Sequence, residues 1–248
     1  MNGIVELPAP AKLTLSLRIT GVRDDGMHLI DAEMVTLSLH DVVTIDPEGD
    51  GVTTTGRYAE GVPSDDRNIV AKALWLVERR AGVTIDKRIP HGGGLGGGSS
   101  NAAAVLRWAG FADAAAAVVI GADVPFCLVG GRARVGGIGE LVEPLPHVDR
   151  QVTLVVPPLS VSTQSVYRAW DGLGGPTSGG ANDLEPAAIQ VEPALADWRE
   201  RIGAACGETP VLAGSGATWW VPGERVDALA ALRDEGAEVI GARAVRAD

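Results

Sequence analysis

The run GGGLGGGSS from Gly92 to Ser100, with NAAAVLRWA directly behind it, carries the densest chemical signal in the chain. Six glycines around one leucine let the backbone take positive φ and approach a ligand with no Cβ in the way. The alanine-rich stretch that follows predicts a helix, and Ser99 and Ser100 are its candidate N-caps. The first N–H groups of such a helix have no internal partner and point back toward the loop. Free amides, the positive end of the helix dipole and bare backbone together make a phosphate cradle. The segment points to a nucleotide.

Other glycine-loop chemistries fit less well. A P-loop needs Lys directly before Ser or Thr, and no Lys precedes a Ser or Thr anywhere near this run. Gly92, Gly94 and Gly97 satisfy the dinucleotide pattern G-x-G-x-x-G, as any glycine run does by chance. The acidic residue which that pattern needs about 20 positions on would be Asp113, but it follows a helix rather than a second strand. Protein-kinase HRD and DFG elements are absent, and so is the G-x-S-x-G elbow of serine hydrolases. A flexible linker would not be bracketed by a strand and a helix.

Upstream of the loop, VTIDKRI alternates like a strand, and Pro90 and His91 turn it into the glycines. Strand, proline, glycine-rich loop and helix in this order resemble the GHMP small-molecule kinases. The likeness extends over separated segments: PAPAKLTLSL from Pro8, DDGMH at Asp24 to His28, and DKRIPHGGGLGGGSSNAA through the loop. GADVPF at Gly121 to Phe126, GIGE at Gly137 to Glu140 and STQSVY at Ser162 to Tyr167 follow. NDLE at Asn182 to Glu185 and AGSGAT at Ala213 to Thr218 complete the set. These segments keep the family's order and span almost the whole chain. They are most similar to the branch whose acceptor is a cytidine-diphosphate-linked sugar alcohol of non-mevalonate isoprenoid biosynthesis.

That resemblance implies ATP as phosphoryl donor, Mg²⁺ brought by ATP, and a small-molecule acceptor. It implies ATP contacts from Pro90, His91, Gly92, Gly93, Gly94, Leu95, Gly96, Gly97, Gly98, Ser99 and Ser100. Asn68 and Lys87 match positions at the adenine end, and the turn Gly214, Ser215, Gly216 matches a second phosphate-facing glycine motif. By the residues alone that turn reads equally as a plain hairpin.

Phosphoryl transfer needs the phosphates held, their charge offset, and the attacking hydroxyl aimed and relieved of its proton. Alternation along LTLSL turns Lys12, Thr14 and Ser16 to the face opposite Leu13, Leu15 and Leu17. A strand lysine is ordinarily solvated, whereas the resemblance puts Lys12 beside the reacting hydroxyl, where its charge would stabilise a developing alkoxide. Asp123 at a helix start reads as a plain N-cap, whereas the resemblance makes it the general base. A neighbouring ammonium would favour its carboxylate form. Lys12 and Asp123 are the catalytic candidates. His28 matches a position that hydrogen-bonds cytosine. Thr14 stands where the family usually has Asn, and Met27 where it usually has a Tyr that stacks on the base. Losing one base–aromatic stack costs about 1–3 kcal/mol, and Tyr167 is the candidate for the other aromatic wall. These departures keep two alternatives open: a different small alcohol as acceptor, or a nucleotide-binding homologue without turnover.

Composition sets the frame. With 248 residues the chain suits one large domain or two modest ones sharing a cleft. Net charge is −11 and basic residues cluster no further than Arg79-Arg80 or Lys87-Arg88, which predicts no nucleic-acid partner. An acidic protein with an anionic substrate must build a local positive pocket. Two cysteines, Cys127 and Cys206, form no disulfide framework, and the four histidines show no metal-ligand spacing. No apolar run of about 18 residues and no basic leader occur, so the expected location is cytoplasmic. Both monomer and homodimer fit the sequence.

Period-two runs predict strands at LTLSLRI, MVTLSLHDVVTI, GVTTTG and QVTLVVPP, and VLAGSGATWWV as strand, turn and strand. Helices are expected over 68–80, capped by Asp65 or Asp66, and after the glycine loop. Others are expected over 111–120, from Thr163, from Asn182 onward, and over 224–234, with a closing strand over 237–245. The fold class is α+β, and the resemblance implies the GHMP kinase fold. That fold has an N-terminal strand-rich domain, here 1–147, and a smaller C-terminal domain, here 148–248, around a central cleft.

Overall fold

The computed structural model describes residues 3–247. Two alternating segments form unusually long strands, β1 (Val5–Val22) and β2 (His28–Asp46), paired antiparallel through the turn at Gly26. Four shorter strands join them: β3 (Val52–Thr55), β4 (Gly82–Asp86), β5 (Arg132–Gly137) and β6 (Leu141–Leu145). β2 carries β1 on one edge. Its other edge takes β5 at Ile30–Val35 and β4 at Val42–Asp46, giving the order β3-β4-β2-β5-β6. A second sheet is built from β7 (Gln151–Val156), β8 (Val211–Leu212), β9 (Trp219–Pro222) and β10 (Glu238–Arg243), ordered β10-β7-β9-β8.

β1 is an edge strand, which is why Pro8 and Pro10, each without an N–H, are tolerated in it. Its free edge is nonetheless occupied. Lys12 N–H donates to the Leu95 carbonyl at 3.0 Å, and Leu17 N–H to that of Ala181 at 2.8 Å. The glycine loop and the segment around Asn182 are therefore stitched to one strand. Bulges at Pro10/Lys12 and Thr14/Ser16 break the register on either side of Lys12.

Among the described residues, six α-helices cover the sheets: α1 (Ile69–Leu76), α2 (Gly97–Trp108), α3 (Val124–Val129), α4 (Thr163–Gly172), α5 (Glu185–Val191) and α6 (Ala194–Cys206). Ser100 to Leu106 of α2 are all buried. Ala103 joins a core with Phe126, Leu195 and Trp219, while Ala102, Ala104 and Val105 join one with Val43, Ile45 and Val70. Alanines bring the backbone of α2 close to both cores, and close packing on all sides fixes the position of its N-terminus.

The α+β class and the GHMP-type layers match the sequence expectation, but several local expectations need correction. Asn68, not Asp65 or Asp66, caps α1, and the helix ends at Leu76. The alanine-rich stretch over 111–120 makes only a single 3₁₀ turn, Ala116–Val119, because the seven residues between Asp113 and Gly121 are too few to repay helix nucleation. The predicted helix over 224–234 is likewise a 3₁₀ segment, Ala230–Glu235, ended by Gly236 at φ +90°. No helix among the described residues is long and apolar enough to cross a membrane.

Candidate active site

Between β1, the start of α3, α4 and the turn at Gly214 lies a cavity of about 730 Å³. Lys12, Thr14, Met27, His28, Asp123 and Tyr167, all singled out from the sequence, line it together. Gly94, Ser99, Gly214 and Ser215 line its other end. A smaller groove of about 250 Å³ runs along the loop past Pro90, His91 and the glycines from Gly92 to Gly98.

The sequence places Lys12 on the polar face of an amphipathic strand, yet the residue is only 4% exposed. Its cover comes from remote segments. A Cβ on Gly96 would stand 2.6 Å from Lys12 Cγ, and one on Gly214 would stand 3.7 Å from Lys12 Nζ. The ammonium donates to Thr14 Oγ1 at 3.3 Å and pairs with Asp123 Oδ2 at 3.2 Å. Asp123 precedes α3, but its side chain makes no capping bond to the helix. Its carboxylate is aimed across the cleft at Lys12 and remains about a third exposed. This is a solvent-reachable base beside a buried cation.

The glycines make the loop possible at two positions in particular. Gly94 has φ +76°, and a Cβ there would run into the Ala213 carbonyl. The two glycine turns thus meet backbone to backbone, an approach no other residue permits. Gly96, at φ +67°, is the N-cap of α2 and supplies no side-chain cap. This corrects the expectation for Ser99 and Ser100, which lie inside the first turn of the helix. The chain enters α2 through a left-handed residue, so glycine occupies the cap. The amides of Gly97, Gly98 and Ser99 carry no protein hydrogen bond among the described residues, and they open toward the loop with the helix dipole behind them. Asn182 braces the second turn by donating to the carbonyls of Leu212 at 2.9 Å and Gly214 at 2.7 Å. Thr163 Oγ1 and Ser215 Oγ lie 2.8 Å apart.

Asn68 and Lys87 have work of their own. The Asn68 amide accepts from Val70 N–H and donates to the Pro63 carbonyl. Lys87 is 3% exposed and pairs with Asp41, which is fully buried. Asp41 also accepts from Asn101 Nδ2 at 2.9 Å and from the amides of Arg88 and Ile89 at 2.7 and 2.8 Å. This cluster ties β2, the strand leading into the loop and α2 to one carboxylate, directly under the first turn of α2. Breaking a buried pair strands the remaining charge. Asp41→Ala is therefore expected to lower unfolding free energy by about 3–5 kcal/mol, read as a shift of the urea midpoint with unchanged slope. A loss below about 1 kcal/mol, the range of exposed pairs, would show that Lys87 finds solvent.

At the opposite end of the cavity, His28 Nε2 lies 2.7 Å from Asp171 Oδ1, and its ring packs against that of Tyr167 at a 40° tilt with centroids 4.7 Å apart and meets Trp170 edge-on at 5.5 Å. Burial, reinforced by the Asp123 carboxylate, pushes the Tyr167 phenol up to about 12, so it stays a protonated donor. The same two causes raise the buried Cys127 thiol to about 12 and remove it as a nucleophile. Asp171 was not among the sequence candidates. Its spacing of four from Tyr167 on a predicted helix, one face of which holds both, is the signal that would have found it.

Comparison with known proteins shows the family. Residues 68–131 match the model of the GHMP kinases N terminal domain. A 4-diphosphocytidyl-2-C-methyl-D-erythritol kinase of Paracoccus denitrificans is 38% identical over 229 residues, 85% of this chain and 84% of that one. The enzyme of the same name from Paramagnetospirillum magneticum is 36% identical, with 93% of each chain covered. Among solved structures, a 4-(cytidine 5'-diphospho)-2C-methyl-D-erythritol kinase superposes with a TM-score of 0.77 at 32% identity. That match covers 97% of this chain and 100% of the other. A mevalonate kinase of Methanococcus jannaschii, at 12% identity and a TM-score of 0.61, shares the fold.

Proposed function

The chain belongs to the 4-diphosphocytidyl-2-C-methyl-D-erythritol kinases, a branch of the GHMP kinases, and from that premise we propose how its cleft performs the reaction. The enzyme transfers the γ-phosphate of ATP to the 2-hydroxyl of 4-diphosphocytidyl-2-C-methyl-D-erythritol, a step toward isoprenoid precursors in the cytoplasm. The observation that carries the catalytic reading is the Lys12–Asp123 pair at 3.2 Å on the wall of the cavity that also holds Gly94, Ser99 and His28.

The loop from Pro90 to Ser100 and the turn Gly214–Gly216 grip the polyphosphate through backbone amides, with the N-terminus of α2 at its terminal phosphates. The acceptor lies along β1 and α4 with its base toward His28 and Tyr167. Asp123 takes the hydroxyl proton, and Lys12 holds the resulting oxygen negative charge as it attacks. Lys12 N–H is bonded to Leu95, so loop and lysine share one frame, and the donor and acceptor halves are aligned by the same backbone. The two sheets supply the two halves of the protein, 1–147 and 148–248, with the cleft between them. Among the described residues no cluster of three metal-ligating side chains occurs. Ser99 and Ser215 carry hydroxyl oxygens at the end of the cavity where the phosphates would lie, and they would suit a Mg²⁺ carried in on ATP. That ion would offset phosphate charge.

Thr14 and Met27 in place of the usual Asn and Tyr favour no other acceptor, because His28 with Tyr167 keeps an aromatic, hydrogen-bonding end of the cleft. A coupled assay of ADP release decides between acceptors. The expected result is turnover with the cytidine-diphosphate compound and at least about 100-fold lower kcat/KM for small alcohols that lack the nucleotide. Equal rates with those alcohols would place the enzyme elsewhere among the GHMP kinases.

A further inference from the structure

His28 is a side chain with one nitrogen committed and one unused. Its side chain is 11% exposed, held between the rings of Tyr167 and Trp170. Trp170 is itself fixed by Nε1–H donating to the Pro176 carbonyl at 2.9 Å. Nε2 meets Asp171 Oδ1 at 2.7 Å, while Nδ1 has no hydrogen-bond partner among the described residues, and the ring lines the cavity. A carboxylate only accepts hydrogen bonds, so the proton of a neutral ring must sit on Nε2 and Nδ1 must be the bare lone pair.

We propose that Asp171 is a positioning residue that sets the His28 tautomer, and through it the base of the acceptor. This inference rests on the cytidine acceptor assigned above. Along its pairing edge, cytosine offers one N–H donor, the 4-amino group, where uracil offers a carbonyl oxygen. A bare Nδ1 accepts from the amine and faces uracil lone pair against lone pair. A buried acceptor left facing another acceptor costs more than a lost bond returns, so the pair rejects uracil as well as binding cytosine. Asp171 never touches the base. Its carboxylate, about half exposed, acts only by holding the ring.

The test is Asp171→Asn, an isosteric change at a half-exposed position. An amide both donates and accepts, so it releases the tautomer. Steady-state kinetics compare the natural acceptor with the same compound carrying uracil. The wild type is expected to favour cytosine by about 100-fold or more in kcat/KM. In Asp171→Asn that ratio should fall by about tenfold or more, carried by KM for the acceptor, with KM for ATP unmoved. In parallel, ¹⁵N shifts of the ligand-free protein should show His28 as the Nε2–H tautomer in the wild type and a mixture in the variant. A wild type silent with the cytidine acceptor would overturn the proposed function. Normal turnover with an unaltered base ratio in the variant, or an Nδ1–H tautomer in the wild type, would overturn this inference alone.

Discussion

Replacing Asp123 with Asn should lower kcat by about 10³-fold while leaving ATP affinity within about twofold, since general-base contributions run to about 10²–10⁴. The substitution keeps the shape and deletes only the basicity. Asp123 does not cap α3 and its carboxylate touches Lys12 rather than backbone, so the fold has little to lose. The polyphosphate is held by amides of the glycine loop, which do not involve Asp123. Single-turnover phosphoryl transfer and equilibrium binding of a non-hydrolysable ATP analogue separate the two quantities. If kcat survives within about tenfold, the hydroxyl loses its proton to something other than Asp123.

Lys12→Met is expected to cost about 10²–10³-fold in kcat, the range of a group that stabilises developing charge in a dry site. Methionine retains the stem that fills the space beneath Gly96 and removes the ammonium. KM for the acceptor should rise less than kcat falls, because the charge on the attacking oxygen exists only near the transition state. Lys12→Arg should not rescue. Lys12 is 4% exposed in a space bounded by Gly96 and Gly214, and the wider planar guanidinium does not fit the role of a compact point charge.

Much of this site is legible in the residues, and the parts that are not share one cause. The strands come through cleanly because alternation is local, and β1 and β2 are simply longer than the matching runs of sequence. The burial of Lys12 does not come through. It depends on Leu95, Gly96 and Gly214 covering the outer edge of β1, contacts made across 83 to 202 positions. Capping preference puts the start of α2 at the serines, whereas the left-handed entry at Gly96 places the cap upstream. That shift leaves Ser99 at the cavity wall. The cluster of Asp41, Lys87 and Asn101 draws on three elements and shows no spacing pattern, so only the fold reveals why Lys87 must be a lysine. The pairing of Asp171 with His28 leaves no local pattern for a different reason: the two residues lie 143 positions apart. Local periodicity builds the scaffold, and remote backbone closes the site on it.

The claim on which the account turns is that Lys12 and Asp123 serve one oxygen atom in one step. The double variant Lys12→Met with Asp123→Asn measures it directly, through single-turnover rates at saturating ATP and acceptor. Groups that act as a unit are strongly non-additive, so the double variant should be slower than the slower single variant by no more than about threefold. A loss equal to the product of the two single effects, about 10⁵-fold or more, would show that the two residues act independently and would contradict the mechanism.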